Sequence, residues 1–441
     1  MLDIKFIREN IELVKTNSKN RLAQVDIDQL LAVDEKRRAL ELKIDDLRAK
    51  RNAVSKNKPT PEEIAEMKSV GVEIEKLEAE LVPVLADFRE LWLAVPNLTH
   101  PAVVVSSRES DNPVLSTFLE PTQFDFPAKD HVELAELNDL IDFDRATKVS
   151  GAKFYYLKNA AARLEFALIQ YALDVAERHD FIPFSTPDLA KREVLEGLGF
   201  NPRGDSTQVY NVEGTDLSLV GTAEITMGGY HKDEILTEAE LPKKYVAVSH
   251  CFRTEAGSYS KFSKGIFRVH QFTKIEMFQY VLPANSETAH QEILAVEREI
   301  FEGLKIPFRV TDHCTADLGS PAIRTFDLEA WMPGKPNGDD TMPARQQGGG
   351  DWAEITSTSN CTDYQARGLN IKYKQSDGSK EYVHMLNGTA IAIGRAIIAI
   401  LENFQTKAGT IIIPEVLRPY LGGLSEISPP EVKPQGGAKP K

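Results

Sequence analysis

The sequence predicts an α+β protein in two parts: an antiparallel helical coiled-coil arm near the N-terminus, then an antiparallel β-sheet flanked by helices. Three observations predict it. Between Met67 and Val95, nine apolar residues (Met67, Val70, Ile74, Leu77, Leu81, Val84, Phe88, Leu91 and Val95) recur in alternating steps of three and four, the spacing of a coiled-coil seam. Beyond about Phe124, runs that alternate with period two, such as YVAVSHCF and FRVHQFTKIEMFQYV, are interleaved with helical stretches. Neither a GxxxxGK[ST] phosphate loop nor a βαβ repeat with a glycine loop before its helix occurs, which argues against a parallel nucleotide-binding sheet.

The arm is justified first. Upstream of the seam, Leu30, Val33, Arg37, Leu40, Ile44, Leu47, Arg51 and Val54 keep the same spacing, with the two arginines as exceptions. Between the runs lies KNKPTPEE, whose prolines cannot continue a helix but can begin one. The spacing therefore predicts a helical hairpin over about 28–95, inside an N-terminal domain of 1–100, with a bend at Pro83 near its base. At the far end RAKRNAVSKNK carries Arg48, Lys50, Arg51, Lys56 and Lys58 and no acid, although the whole chain has a formal net charge of -14. Packing against a neighbouring domain or a dimer partner would also explain the seam, and a solvated turn would explain the tip. Together they describe a lever that holds a polyanion at a distance through phosphate contacts.

The remainder follows from composition. A Pro/Ser/Asn-rich stretch, 101–123, reads as a linker; 124–427 reads as the sheet domain, with helices at 160–179, 289–304 and 389–404; 428–441 reads as a disordered tail. Of the 441 residues 42% are hydrophobic and 27% charged, close to the average of soluble globular proteins, and the acidic balance confines any polyanion to a local basic patch. Cys251, Cys314 and Cys361 are far apart and lack paired spacing, so the reading is a reducing compartment with no disulfide and no structural zinc. The charged N-terminus and the lack of any run near roughly 18 apolar residues predict a cytoplasmic protein with no membrane partner.

Chemistry concentrates in CFRTEAGSYSKFSKGIFRVHQFTKIEMFQYV, from Cys251 to Val281. Read as a hairpin, its second strand projects Arg268, Phe272 and Glu276 from one face and Phe267, Val269, Ile275 and Met277 from the other, while Arg253 and Glu255 share a face of the first. Guanidinium forks suit phosphate, a ring can stack on a base, and carboxylates suit an ammonium group or a magnesium ion. Cross-strand ion pairs on a solvated face are the alternative. Arg395 is the only charged residue between Thr389 and Leu401, so burial requires that it meet either an internal carboxylate or a ligand phosphate. YSKFSKG has no HIGH-type partner and is a chance match to the KMSKS signature of class I synthetases.

In chain order, HDFIPFSTP (His179 to Pro187), FRTE with GIFRVHQFTKIEM, and LNGTAIAIGR (Leu386 to Arg395) resemble motifs 1, 2 and 3 of the class II aminoacyl-tRNA synthetases. Over nearly its full length, from MLDIKFIREN to PEVLRPYLGGL, the chain resembles the seryl-tRNA synthetases. The resemblance implies a class II catalytic domain that holds ATP in a bent form, activates L-serine to the adenylate and passes it to tRNA(Ser), with tRNA(Sec) left open as a second acceptor. It implies Mg2+ as the accompanying cation and a homodimer built on motif 1. By the same resemblance Arg253, Arg268 and Arg395 are catalytic: Arg253 meets the α-phosphate, Arg268 the γ-phosphate, and Arg395 lies on the face of adenine opposite Phe272. Glu255 sits by the adenine amino group, and Thr254, Val269, Ile355 and Thr356 complete the ATP set with Glu354 and Ser357, the magnesium pair. Thr222, Ala223, Glu224, Arg253, Glu276, Asn387 and Thr389 fall on the serine positions, and the tip residues Arg48, Lys50, Arg51, Lys56 and Lys58 on the tRNA-binding arm.

Three departures stand out: Thr389-Ala390 where LNGSG is common, EITSTSN where many relatives read EISSCSN, and a longer Gly/Pro-rich loop over 333–350. A paralogue without charging activity, or an enzyme activating an amino acid for a carrier protein, would share the cavity chemistry; a tRNA lever has no use in the second. An inert coiled-coil interaction protein would leave the hairpin charges unexplained.

Overall fold

The computed structural model describes residues 1–55, 60–200, 208–256, 262–336 and 349–430. Four helices form the N-terminal part: α1 (Ile4–Glu9), α2 (Ile11–Asn20), α3 (Ile27–Ser55) and α4 (Pro61–Leu93). At the start of α4, Thr60 and Glu63 cap each other's backbone and Pro61 supplies a pre-set first turn. The predicted seam is present: each of its nine positions from Met67 to Val95 is buried or half-buried. Cross-helix pairs Lys36–Glu80 (3.4 Å), Arg48–Glu78 (2.7 Å) and Lys50–Glu66 (2.6 Å) run in opposite senses along the two helices, which makes the hairpin antiparallel. The charged exception Arg37 is accommodated because the buried Asp34 (2.7 Å) and Glu41 (2.8 Å) neutralise it and its guanidinium lies 4.7 Å over the Phe88 ring. The helix continues through Pro83. At the base, Leu2, Ile7, Val14, Leu30, Phe88 and Val95 form one core with Tyr364 of the second part.

Eight strands make the main sheet: β1 (Val114–Phe118), β2 (Ile182–Ser185), β3 (Lys243–Phe252), β4 (Gln271–Val281), β5 (Phe308–Asp312), β6 (Arg324–Met332), β7 (Asp351–Asn360) and β8 (His384–Ala392). Their order is β1-β5-β6-β7-β8-β4-β3-β2, antiparallel throughout except for β2 on β3. The helices Ala160–Arg178, Ser286–Leu304 and Ile393–Asn403 contribute to the largest apolar core with the central strands. The middle of the opposite face is left open.

Three sequence expectations are corrected. The stretch 101–123 contributes β1, which closes one edge of the sheet against β5, so it is more than a linker. Thr389 to Ala392 belong to β8, and the helix starts at Ile393, because the small residues there pair with β4 before the chain turns. Arg268 and Val269 precede β4, and Arg253 and Glu255 follow β3, with Glu255 in the left-handed region at φ +51. Strand parity therefore does not govern these four residues. Most of the 333–350 loop and residues 431–441 of the tail lie outside the described residues.

Candidate active site

The open face of the sheet holds a cavity of about 400 Å³. Every residue singled out for ATP, magnesium or serine lines it except Ala223 and Thr254. Ala223 is the fully buried first residue of the short helix Ala223–Gly228, and Thr254 is tied by its backbone N–H to the Gln208 carbonyl at 3.1 Å. Phe267 and Val269, expected on the far face, line the same wall because the chain is not a strand there.

One end of the cavity is cationic and aromatic. Arg253 lies 5.3 Å over the Phe272 ring, Arg268 is 3.6 Å from Glu255, and Arg395 is 4.9 Å from the Phe267 ring. Arg395 also donates to the Glu354 carbonyl (2.7 Å) and sits 3.3 Å from its carboxylate, so the internal salt bridge weighed from sequence is present. Burial draws the Glu354 carboxyl upward, but Arg395 and Arg253 outweigh it and hold the group below the ordinary range.

Glu354 and Ser357 are three apart on β7 and would face opposite sides of a regular strand. They face the same cavity because the register against β6 slips by one residue between Leu328–Thr356 and Glu329–Glu354, a bulge that leaves Ile355 and Thr356 both buried. Ser357 pairs across the strands with Asp327, and His313 Nε2 lies 2.9 Å from the Asp327 carboxylate. A carboxylate and a hydroxyl oxygen on one wall suit a hard cation such as Mg2+, and Asp327 Oδ1, buried without a partner, supplies negative charge behind them.

The other end is a small polar pocket. Glu276, 1% exposed, is paired with Lys274 Nζ at 2.5 Å, Thr389 Oγ1 donates to its carboxylate at 3.1 Å, and Lys274 in turn donates to Thr389 at 3.3 Å. Glu224 accepts from Gln365 Nε2 at 2.7 Å. Burial, and then the neighbouring Glu276, push the Glu224 carboxyl up to about 7. Thr222 accepts from the Glu224 N–H at 3.1 Å, capping the helix that carries it, and Asn387 Nδ2 rests 3.8 Å from Cys361 Sγ. Two carboxylates, two hydroxyls and an amide around so small a space fit an amino group and a short polar side chain.

Lys274, Phe267, Ser359 and Gln365 escaped the sequence reading. Lys274 shares the even parity of Phe272 and Glu276 and could have been found by the same rule; Gln365 reaches Glu224 from another segment, and no local pattern marks it. On the arm, Arg48 and Lys50 pair across the hairpin with acids of α4, and Arg51 is exposed. Lys56 and Lys58 lie outside the described residues. Among the described residues no helix is long and apolar enough to cross a membrane.

Comparison with known proteins identifies the family. Residues 209–404 match the family model described as tRNA synthetase class II core domain (G, H, P, S and T), and residues 1–99 match the seryl-tRNA synthetase N-terminal domain. The chain is 51% identical to a serine–tRNA ligase of Treponema denticola over 96% of its own length and 99% of that protein. It is 49% identical to one of Dictyoglomus turgidum, covering 97% and 100%. Among solved structures it resembles the seryl-tRNA synthetase of Pyrococcus horikoshii complexed with ATP, with TM-score 0.82, 38% identity and coverage of 98% and 100%. The cytoplasmic serine–tRNA ligase of Naegleria fowleri in complex with AMP gives TM-score 0.80 and 31% identity, covering 97% and 99%.

Proposed function

The chain belongs to the seryl-tRNA synthetase family, and on that premise we propose that its front cavity is where ATP and L-serine react before transfer to tRNA(Ser). It is an ATP-dependent class II ligase of serine and tRNA. The observation that carries the site assignment is the single cavity that joins an arginine-rich end to a buried carboxylate and hydroxyl pocket.

In the first step the serine carboxylate attacks the α-phosphorus and pyrophosphate leaves; in the second, a terminal ribose hydroxyl of the tRNA attacks the adenylate carbonyl. Neither needs a protein nucleophile, so the residues act by positioning and charge stabilisation. Arg253 sits where the α-phosphate would develop charge, Arg268 toward the γ-phosphate, and Phe272 and Arg395 offer the two faces between which adenine would stack. Glu255 would meet the adenine edge, with Val269, Ile355 and Thr356 forming the surrounding wall. Glu354 and Ser357 would hold Mg2+, which when bound neutralises the triphosphate.

At the small end, Glu224 is the carboxylate left for the substrate ammonium, since Lys274 already occupies Glu276. Glu276, Thr389 and Asn387 surround the hydroxyl and carboxylate of serine. Alanine is rejected because Glu276 Oε1, the oxygen that neither Lys274 nor Thr389 engages, would be left unpaired, whereas threonine's extra methyl is worth only about 1–3 kcal/mol of discrimination. The exposed edge strand β2, with Ile182 56% and the nearby helix residue Phe166 71% exposed, is the face we assign to a homodimer. The arm, with Arg48, Lys50, Arg51, Lys56 and Lys58 at its tip, would then hold tRNA, and the protein would work in the cytoplasm. Pyrophosphate exchange assayed with each of the twenty amino acids tests the reading: exchange driven by serine alone is expected, and no exchange with any would mark a non-charging paralogue.

A further inference from the structure

The base of the arm and the serine end of the cavity share one buried hydrogen-bond network. Arg21, just after α2, is 7% exposed, and among the described residues no carboxylate lies within ion-pair distance of it. Its guanidinium instead donates to the main-chain carbonyls of Asn97 (2.7 Å), Ala322 (2.9 Å), Leu318 (3.3 Å) and Gly319. Asn97, 3% exposed, takes the two carbonyls in between: its N–H donates to Ser320 (2.9 Å) and its amide to Pro321 (2.9 Å). Five successive carbonyls, Leu318 to Ala322, are thus held by two residues of the N-terminal part.

That segment is a wall of the catalytic cavity. Gly319 lines it, and a Cβ there would meet no atom within 4 Å, so a methyl can be added at the cavity's edge without displacing the wall. The Asn97 amide also donates to the Cys361 carbonyl at 3.0 Å, and the thiol of Cys361 touches Asn387. Apart from one turn bond, from the Ala322 N–H to the Gly319 carbonyl at 3.0 Å, the carbonyls of this segment are satisfied from outside it, and loss of those donors would leave them unpaired.

We propose that Arg21 and Asn97 are positioning residues for the amino-acid substrate, fixing the Leu318–Ala322 wall and the Asn387 side of the pocket from outside the catalytic domain. The inference rests on the assignment of this end of the cavity to serine. It is tested in the full-length enzyme by serine-dependent pyrophosphate exchange, which needs no tRNA, with the KM for serine and for ATP determined separately and folding checked by thermal midpoint. Arg21→Gln is expected to raise the serine KM at least tenfold and leave the ATP KM within twofold, and Arg21→Lys, which keeps the charge with fewer donors, to fall between. Gly319→Ala, which needs no unusual backbone angle, is expected to raise the serine KM alone by adding a methyl to the wall. Equal changes in both KM values, or an unchanged serine KM in folded Arg21→Gln, would overturn the proposal. If Arg21→Gln does not fold, an unchanged serine KM in Gly319→Ala overturns it instead. A wild-type enzyme without serine-dependent exchange would sink the functional assignment, an outcome distinct from either.

Discussion

The arm and the sheet handle charge in opposite ways. Along the arm, ionic groups lie outside an apolar seam: Arg48 and Glu78 are paired with side chains 50% and 42% exposed, a setting in which ion pairs contribute about 0–1 kcal/mol. On the sheet, Lys274 and Glu276 are 9% and 2% exposed, where each charge is tolerated only because the other is present. Shape in the arm comes from periodic hydrophobic burial, so its polar surface is free to serve a partner. In the cavity the polar groups are themselves part of the packing, so each has one orientation.

The largest expected effect breaks the sheet side of this contrast. Arg395→Ala should lower pyrophosphate exchange by about 10³-fold, the scale of losing a preorganised charge at the reacting centre. Its thermal midpoint should hold, since among the described residues the guanidinium hydrogen-bonds Glu354 alone and otherwise rests over the Phe267 ring; a large drop in that midpoint would instead give Arg395 a structural role.

Next comes removal of the arm. The base core includes Leu30, Phe88 and Val95 against Tyr364, so a cut over the full 28–95 would open the catalytic part itself. Replacing Lys43–Glu78 with a short glycine-rich turn should spare exchange and reduce tRNA charging at least about 100-fold through lost phosphate contacts. Equal loss of both activities would show that the outer arm is not independent of the cavity.

A smaller effect concerns pH. Glu224 titrates near 7 in the fold, above its ordinary 4.5. The folded state therefore favours the protonated acid, and the stability this gives is complete below about 4.5 and lost as pH rises through 7. Binding of an ammonium needs the ionised form, so the serine KM should fall about tenfold per pH unit as pH rises toward 7 and then level off. Glu224→Gln should flatten that profile and raise the thermal midpoint above pH 7 relative to wild type; an unchanged profile would remove Glu224 from ammonium recognition.

The smallest effect sharpens the arm side. Lys50→Ala should change unfolding free energy by less than about 1 kcal/mol while raising the KM for tRNA. A shift only in stability would reduce the tip to a solvated turn.

How legible these two regions were follows from the same contrast. The seam was readable because its period is uninterrupted from Met67 to Val95, and even the misfit Arg37 is explained by a partner three residues away at Asp34. Most cavity residues were located through the motif resemblance, but parity placed Phe267 and Val269 on the wrong side, since the chain leaves the strand before Gln271. The pairing of Glu354 with Ser357 depends on a one-residue slip that no local pattern marks. β1 was read as linker because its short run sits among turn formers and becomes a strand only by docking on β5. Local spacing reports what repeats; it is silent on contacts supplied by distant chain.

That slip at Ile355 also decides how each region can change in length. A coiled coil can gain or lose whole heptads, matched on both helices, and keep the same contacts. The strand Asp351–Asn360 has no such freedom, because one more residue between Glu354 and Ser357, beyond the one the bulge absorbs, would turn one of them away from the other. Variation in size among related chains should therefore gather in the outer hairpin and spare this decapeptide.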